Sequence, residues 1–255
     1  MAALVDNQVQ AGRRPAARPA PGAGAGVQTG TGRGRVAKRQ AIMQAAQTVF
    51  GREGYTHAGI EAIAAAAGVS SRTIYNHFQS KQQLFTAVII ESSTQVADAL
   101  IRLIDHHLTG VTTPGALQPA LVALGCQWAG PQAEFTDHFA IVGHLYAEAA
   151  HLPPDLLQAW STAGPQRAEQ HLAHHLRRLA GTGLLHLHQP PASASRAGRG
   201  EPDDGAAQAT QHLLLLTVAA VATRTYHGAI PLTGQQTTAL VTAGVRAFLD
   251  GHRPR

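Results

Sequence analysis

Gly59-Ile60-Glu61-Ala62-Ile63-Ala64-Ala65-Ala66-Ala67-Gly68-Val69-Ser70-Ser71-Arg72-Thr73-Ile74-Tyr75-Asn76-His77-Phe78 is the stretch that decides the fold of this 255-residue chain. Ile60, Ile63 and Ala67 recur at helical spacing and predict one apolar stripe. Gly68 predicts the end of that helix, because glycine takes a left-handed C-cap without steric cost. Ser70 is the expected N-cap of a second helix, its hydroxyl accepting from an otherwise unpaired backbone N–H. Val69, Ile74 and Phe78 are expected to point inward, leaving Ser71, Arg72, Thr73, Tyr75 and Asn76 outside. Small hydroxyls, a guanidinium, a phenol and a carboxamide on one short helix suit phosphates and base edges in a major groove.

Outward from this stretch, Arg39, Ile42, Ala45, Ala46, Phe50, Gly54 and Tyr55 precede it, and Ser80-Lys81 and Leu84 follow. With these the pattern resembles the N-terminal DNA-binding domain of the TetR family of bacterial transcriptional regulators. The resemblance implies an all-α fold, with a three-helix helix-turn-helix domain followed by a larger helical ligand-binding and dimerisation domain. It implies a homodimer on a palindromic double-stranded DNA operator, released by a small apolar effector. It also places Tyr75, His77 and Lys81 against the DNA backbone. The DNA-contact candidates are therefore Ser70, Ser71, Arg72, Thr73, Tyr75, Asn76, His77 and Lys81. Arg72 is the strong donor of the set, suited to a guanine edge or a phosphate. One departure is visible: Ala58 and Gly59 stand where the family usually carries Thr or Ser.

Charge agrees with this division. Residues 1–85 hold ten Lys and Arg against three acids, a net +7, whereas residues 86–255 hold ten against twelve, a net −2. The positive charge thus lies with the proposed DNA-binding part, where counterion release favours it. The single cysteine, Cys126, excludes an internal disulfide and any zinc-finger spacing. It is expected as a small core side chain, a redox-sensing thiol being the alternative. Residues 1–10 lack the apolar core of a signal peptide, and the apolar run Leu213 to Ala222 is about half of a bilayer span. A cytoplasmic protein with no membrane partner is expected.

Three regions follow. Residues 1–35 are expected to be a disordered basic arm, since Gly, Ala, Arg and Pro make up 21 of the 25 residues from 11 to 35. Residues 36–85 hold the helix-turn-helix domain, with the motif at 59–78. Residues 86–255 form the ligand-binding and dimerisation domain, with a mobile loop expected at 189–205, rich in Pro, Ser, Ala and Gly. A fourth helix of about 25 residues from the Ser80 cap joins the two folded parts. Pro114, Pro131 and Pro154 predict helix starts, Gly164-Pro165 a break, and Asp203 or Asp204 and Thr233 the caps of the last two helices. The helix near 206–227 is apolar nearly all round, so it and the helix near 233–250 are the expected dimer interface. Phe135, Phe139, Val142, Tyr146 and Ala149 predict one amphipathic face. His144 to Ala150, Leu152-Pro153, Gly164-Pro165 and Phe248 to Gly251 resemble the ligand-binding domain of TetR regulators linked to efflux-pump control.

The pocket is expected to draw on Trp128, Phe135, His138, Phe139 and Tyr146. Fifteen histidines invite metal binding. His171, His174 and His175 share a helix face, as do His144, Glu148 and His151, while His106-His107 and His186/His188 are weaker groups. Solvated and hydrogen-bonded histidines give the same spacing, so no metal and no cofactor is assigned. A metal- or redox-responsive regulator, or an activator, is the alternative. No phosphate-binding glycine loop, nucleophile elbow or paired-carboxylate motif is present, so an enzyme is not expected.

Overall fold

The computed structural model describes residues 29–130, 133–188 and 205–252. Among these all regular structure is helical, in eleven α-helices with short 3-10 and π segments. The chain divides into compact units at residues 1–38 and 39–255. Of the first, only the start of α1 (Thr29–His57) is described. Most of the expected arm, residues 1–28, lies outside the described residues. Residues 29–35, expected to be disordered, are helical: no proline lies between Pro21 and Pro114, and a nucleated helix extends at little cost.

The second unit begins with the rest of α1, which kinks at Gly54, where φ is 75°. Next come α2 (Ile60–Ala67) and α3 (Ser71–Tyr75), then α4 (Lys81–Leu108). Gly68 takes the left-handed C-cap (φ 64°), and the Val69 N–H donates to the Ala64 carbonyl at 3.0 Å, which sets the turn. Ser70 and Ser80 cap their helices as expected, accepting from the Thr73 and Gln83 amides. Helix α2 has no such cap; Gly59 stands at its N-terminus with no side-chain hydrogen bond.

Helices α5 (Pro114–Ala129), α6 (Thr136–Glu148), α7 (Pro154–Ala163) and α8 (Pro165–Gly181) follow. Pro114 and Pro154 each take a first helical position, while Pro131 lies outside the described residues. The Gly164-Pro165 break has a packing reason as well as a propensity one. A Cβ at Gly164 would meet the Ser93 Cβ at 2.8 Å, so only glycine lets the corner between α7 and α8 press on α4.

The expected loop at 189–205 lies outside the described residues apart from Gly205, as do Asp203 and Asp204. Gly205 itself occupies the N-cap of α9 (Ala206–Leu214). A π segment, Leu215–Ala219, joins α9 to α10 (Ala220–Arg224), and α11 (Gly234–His252) closes the chain. Thr233 and Gln236 form a capping box before α11: each side chain bonds the other's amide, at 3.2 and 2.9 Å.

Helix α4 ties the unit together because it enters three apolar clusters. Leu84, Phe85, Val88 and Ile89 join α1 to α3; Val96 and Leu100 meet Ala168; Ile104 and Leu108 join α5, α8 and α11. By length and composition alone, α4 and Ala206–Arg224 are apolar enough to cross a bilayer, with 50% and 33% of the apolar window buried. In α4 the apolarity is accounted for by these clusters. Along α9 to α10 it is not: Leu215 is 64% exposed and Leu216 also faces outward.

Helix α11 reaches the π segment through Gly244, where a Cβ would collide with the Leu216 carbonyl oxygen. Gly244→Ala is therefore expected to cost about 3 kcal/mol of stability. Gly143→Ala, with open space around the new methyl inside α6, is expected to gain up to about 1 kcal/mol. Urea unfolding of both variants checks the contrast; equal effects would refute the tight crossing.

Candidate nucleic-acid interface and cavity

Ile74 and Phe78 are buried in the core shared by α1, α2 and α4, which fixes the orientation of α3. Arg72 and Asn76 are exposed, and Tyr75 is 52% exposed. Ser71, Thr73 and His77 are half-buried. Ser70 Oγ is engaged by the Thr73 amide and lies 2.9 Å from Thr73 Oγ1, so both hydroxyls serve the cap first.

Lys81 is placed differently from the others. Its Nζ donates to the Thr56 carbonyl at 3.1 Å and stands 5.0 Å from the Tyr55 ring centroid. Much of its role is thus to close the end of α1 onto α4. Arg39 was not among the candidates, yet its guanidinium lies 5.2 Å over the Phe78 ring, beside the end of the recognition segment. Arginine over phenylalanine carries no spacing signal, so only the fold reveals it.

Helix α6 faces two ways. Ile141 and Leu145 enter the same apolar core as Ile42, Phe50 and Phe85. Thr48 Oγ1 donates to Asp137 Oδ2 at 2.8 Å and Thr56 Oγ1 to Glu148 Oε2 at 2.5 Å. Backbone closeness adds to this, since a Cβ at Gly51 would meet the Asp137 carbonyl at 3.1 Å. The buried face of α6 therefore differs from the expected one: Phe139 and Tyr146 are largely exposed, and His138, Ile141 and Leu145 are buried. The alternation of aromatic and aliphatic residues gave two apolar stripes, and the aliphatic one packs against α1.

The aromatic stripe borders a cavity of about 490 Å³ between α4, α6, α7, α8 and α9. Of the expected pocket residues, Trp128, His138, Phe139 and Tyr146 line it. Phe135 does not; it packs beside Val96, Leu100 and Ala168. Trp160 and Glu169 were missed, because neither α7 nor α8 shows a pattern distinguishing a cavity wall from a core. Ser93 Oγ and Trp160 Nε1, on two lining residues, are buried without a hydrogen-bond partner.

Burial drives the His138 pKa down from 6.5 to about 4, so the ring is neutral, and its Nδ1 lies 2.9 Å from Ser92 Oγ. Burial raises the Glu169 carboxyl above its ordinary value. The Tyr146 phenol is raised as well, first by burial and then by the Glu169 charge.

The histidine candidates separate. Asp105 Oδ1 lies 2.8 Å from both His171 Nε2 and His175 Nε2, while His174 is exposed. Hydrogen bonds from His171, then His175, hold the Asp105 carboxyl below its usual range, and burial lowers His175. These three residues offer ligand atoms within 4.8 Å of one another. Yet His175 Nδ1 is buried with no partner, whereas a metal-bound imidazole is steadied by a hydrogen bond from that second nitrogen. The group is a clamp between α4 and α8. Glu148 is engaged by Thr56 and His151 is exposed. His188 meets the rings of His186 and His252 edge to face, as His106 meets His107. Cys126 is half-buried, its Sγ 3.9 Å from Thr238 Oγ1.

Residues 42–88 match the profile of the bacterial regulatory proteins of the TetR family. The helix-turn-helix segment is thus of the TetR type. The chain is 42% identical over 67 residues to the transcriptional repressor NicS of Pseudomonas putida, and 40% identical over 79 residues to the transcriptional activator FasR of Mycolicibacterium smegmatis. These matches cover 26% and 31% of this chain and 32% and 34% of the relatives, so the chain spans about a third of the length of the curated relatives it matches. In fold the likeness is longer. A TetR-family regulator of Mesorhizobium loti superposes with a TM-score of 0.66 at 24% identity, over 86% of this chain and 98% of that one. The flavonoid-responsive regulator FrrA superposes with a TM-score of 0.60 at 24% identity, over 86% and 99%.

Neutral, buried His138 has a consequence for stability. Its folded pKa lies below its unfolded one, so the unfolded chain takes up the proton first as pH falls. The stability it contributes is complete above pH 6.5 and declines from there to about pH 4. Between about pH 7.5 and about pH 4.5, His138→Gln is expected to lose about 2–3 kcal/mol less stability than the native chain. Urea titrations at the two pH values check it, and parallel losses would refute the assignment.

Proposed function

We propose that the protein is a cytoplasmic, homodimeric repressor whose operator binding is relieved by a small, largely apolar ligand. The observation that carries this reading is helix α6. One face lies in the core of the DNA-binding segment and the other walls the cavity. A ligand that spreads the cavity displaces α6, and through Thr48, Gly51 and Thr56 displaces α1 and the helix-turn-helix with it. Binding of ligand and operator are then negatively coupled, and reciprocally so. The unpaired polar atoms of Ser93 and Trp160 are groups that an occupant can satisfy. FrrA, of similar fold, is flavonoid-responsive, in keeping with a cavity sized for a compact aromatic compound.

The outward apolar face of α9 to α10, with α11 beside it, supports dimerisation through these helices. Two recognition helices related by a two-fold axis read both halves of a palindrome. Ser70, Ser71, Arg72, Thr73, Tyr75, Asn76 and His77 are the proposed DNA contacts, with Lys81 as both contact and strut. FasR, similar over 79 residues, is an activator; an operator overlapping no core promoter element would favour that use of the same machinery.

Footprinting and sedimentation on the promoter of the chain's own gene test the reading. Two protected half-sites about one helical turn apart, bound by two chains, are expected; no protection, or one chain per site, refutes it. On that operator Arg72→Ala is expected to cost about 1–3 kcal/mol and relax base preference at one position. Lys81→Ala should weaken all sequences alike, flatten the salt dependence by about one unit and cost about 1 kcal/mol of stability. Identical effects of the two variants would contradict the division.

The coupling through α6 has its own test, which needs no ligand. Val142→Trp places bulk in the cavity from the α6 wall. It is expected to lower operator affinity about tenfold, or ~1.4 kcal/mol, with helical content unchanged. Native affinity in a folded Val142→Trp variant would break the proposed link.

A further inference from the structure

The cavity has a charge character that its size alone does not convey. Its walls are aromatic on several sides, with Trp128, Phe139, Tyr146 and Trp160 presenting rings from α5, α6 and α7. Among the described residues no lysine or arginine lines it, and its histidine, His138, is neutral with Nδ1 beside Ser92 Oγ. Glu169, from α8, is the one acidic side chain on the wall. It is half-buried and, among the described residues, makes no ion pair; Arg167, two positions earlier on the same helix, is taken by Asp98 of α4 at 2.8 Å. Around the cavity the other elements offer neutral groups: Ser93 on α4, His138 and Tyr146 on α6, Trp160 on α7 and Gln211 on α9.

A carboxylate withdrawn from water without a counter-ion is costly, and burial shifts its pKa upward accordingly. Aromatic faces do nothing to relieve that cost, but they attract cations strongly once water is excluded. The two features are complementary to one kind of guest: a positive charge that meets the carboxylate while its apolar body lies against the rings. An anionic guest would face Glu169 with no basic group to hold it, which disfavours acyl chains ending in a carboxylate.

We propose that the cavity binds a lipophilic organic cation, with Glu169 as its counter-ion and the Trp128, Tyr146 and Trp160 rings as its walls. This rests on the reading of the cavity as the effector site. Because the cation pairs with the ionised carboxylate, its affinity declines on acidification as Glu169 takes up a proton.

The chain's two tryptophans, Trp128 and Trp160, both line the cavity, so their fluorescence reports its occupancy directly. Three probes of similar size and different charge suit it: tetraphenylphosphonium, neutral triphenylphosphine oxide and tetraphenylborate. The full-length native protein is expected to bind the phosphonium at least about tenfold more tightly than the oxide, with the borate weakest, and the phosphonium should lower operator affinity. Glu169→Gln is expected to weaken phosphonium binding by about tenfold while leaving the oxide unchanged. Circular dichroism and operator binding without ligand verify that the variant folds. Tighter binding of the oxide or of a trihydroxyflavone than of the phosphonium, with operator release, would leave the sensor reading intact and overturn the cation assignment. So would native phosphonium affinity in folded Glu169→Gln. If none of the compounds quenches the tryptophans or alters operator affinity, the sensor reading itself fails.

Discussion

The contact of α1 with α6 is the constraint on which the rest of the second unit depends. Helices α2 and α3, of eight and five residues, bury little surface by themselves. Their core is completed from outside: Ile141, Leu145, Leu152, Leu156 and Trp160 belong to the same apolar cluster as Phe50, Ile63 and Ile74. An isolated helix-turn-helix segment would expose this surface, so its stability draws on the helices that follow it. The same economy makes it responsive. A helix that is at once core for one part and wall for another cannot shift for the second without being felt by the first.

Helix α4 adds a second connection of different character. Near its start it is held by Lys81 on the Thr56 carbonyl; near its end it is held by Asp105 between His171 and His175. Between these points it touches the cavity through Ser93, Val96, Ala97 and Leu100. A rod pinned at both ends and pressed at its middle bends or pivots, which in the proposed dimer would change the spacing of the two recognition helices. The pin at Asp105 weakens on acidification, since the carboxylate is depressed by its imidazole partners and loses that stabilisation once protonated.

The helix-turn-helix was legible because each of its parts is a local signal. Gly68 needs a positive φ, Ser70 and Ser80 need only their own next turn, and Ile60, Ile63 and Ile74 follow helical period. Helix starts at Pro114 and Pro154 and the break at Gly164 were legible for the same reason. What pattern did not decide was which of two apolar stripes goes inward. On α6 both Ile141/Leu145 and Phe139/Tyr146 fit a helical face, and α1 sets the choice: Gly51 admits the α6 backbone at Asp137, and Gly54 leaves room for the Glu148 and His144 side chains. Asp105 was likewise invisible beside its histidines, since a clamp between helices 66 and 70 residues apart leaves no spacing. The π segment, too, was hidden, as its cause is a neighbour: Gly244 brings α11 onto the Leu216 carbonyl.

Leu215 draws these lines together. It sits in the π segment, lines the cavity and yet is largely exposed. A π turn adds a residue to the helical repeat and so rotates the side chains that follow it relative to those before. Here that rotation places successive leucines on opposite duties, Leu213 and Leu214 in the core and Leu215 and Leu216 outward. If a second chain covers the outward pair, Leu215 is then fixed from one side by the partner and from the other by whatever fills the cavity. Ligand and dimer geometry would be linked through a single side chain, without needing α4 to carry the whole signal. The π turn is where two packing demands meet, which is the circumstance in which a helix tolerates one.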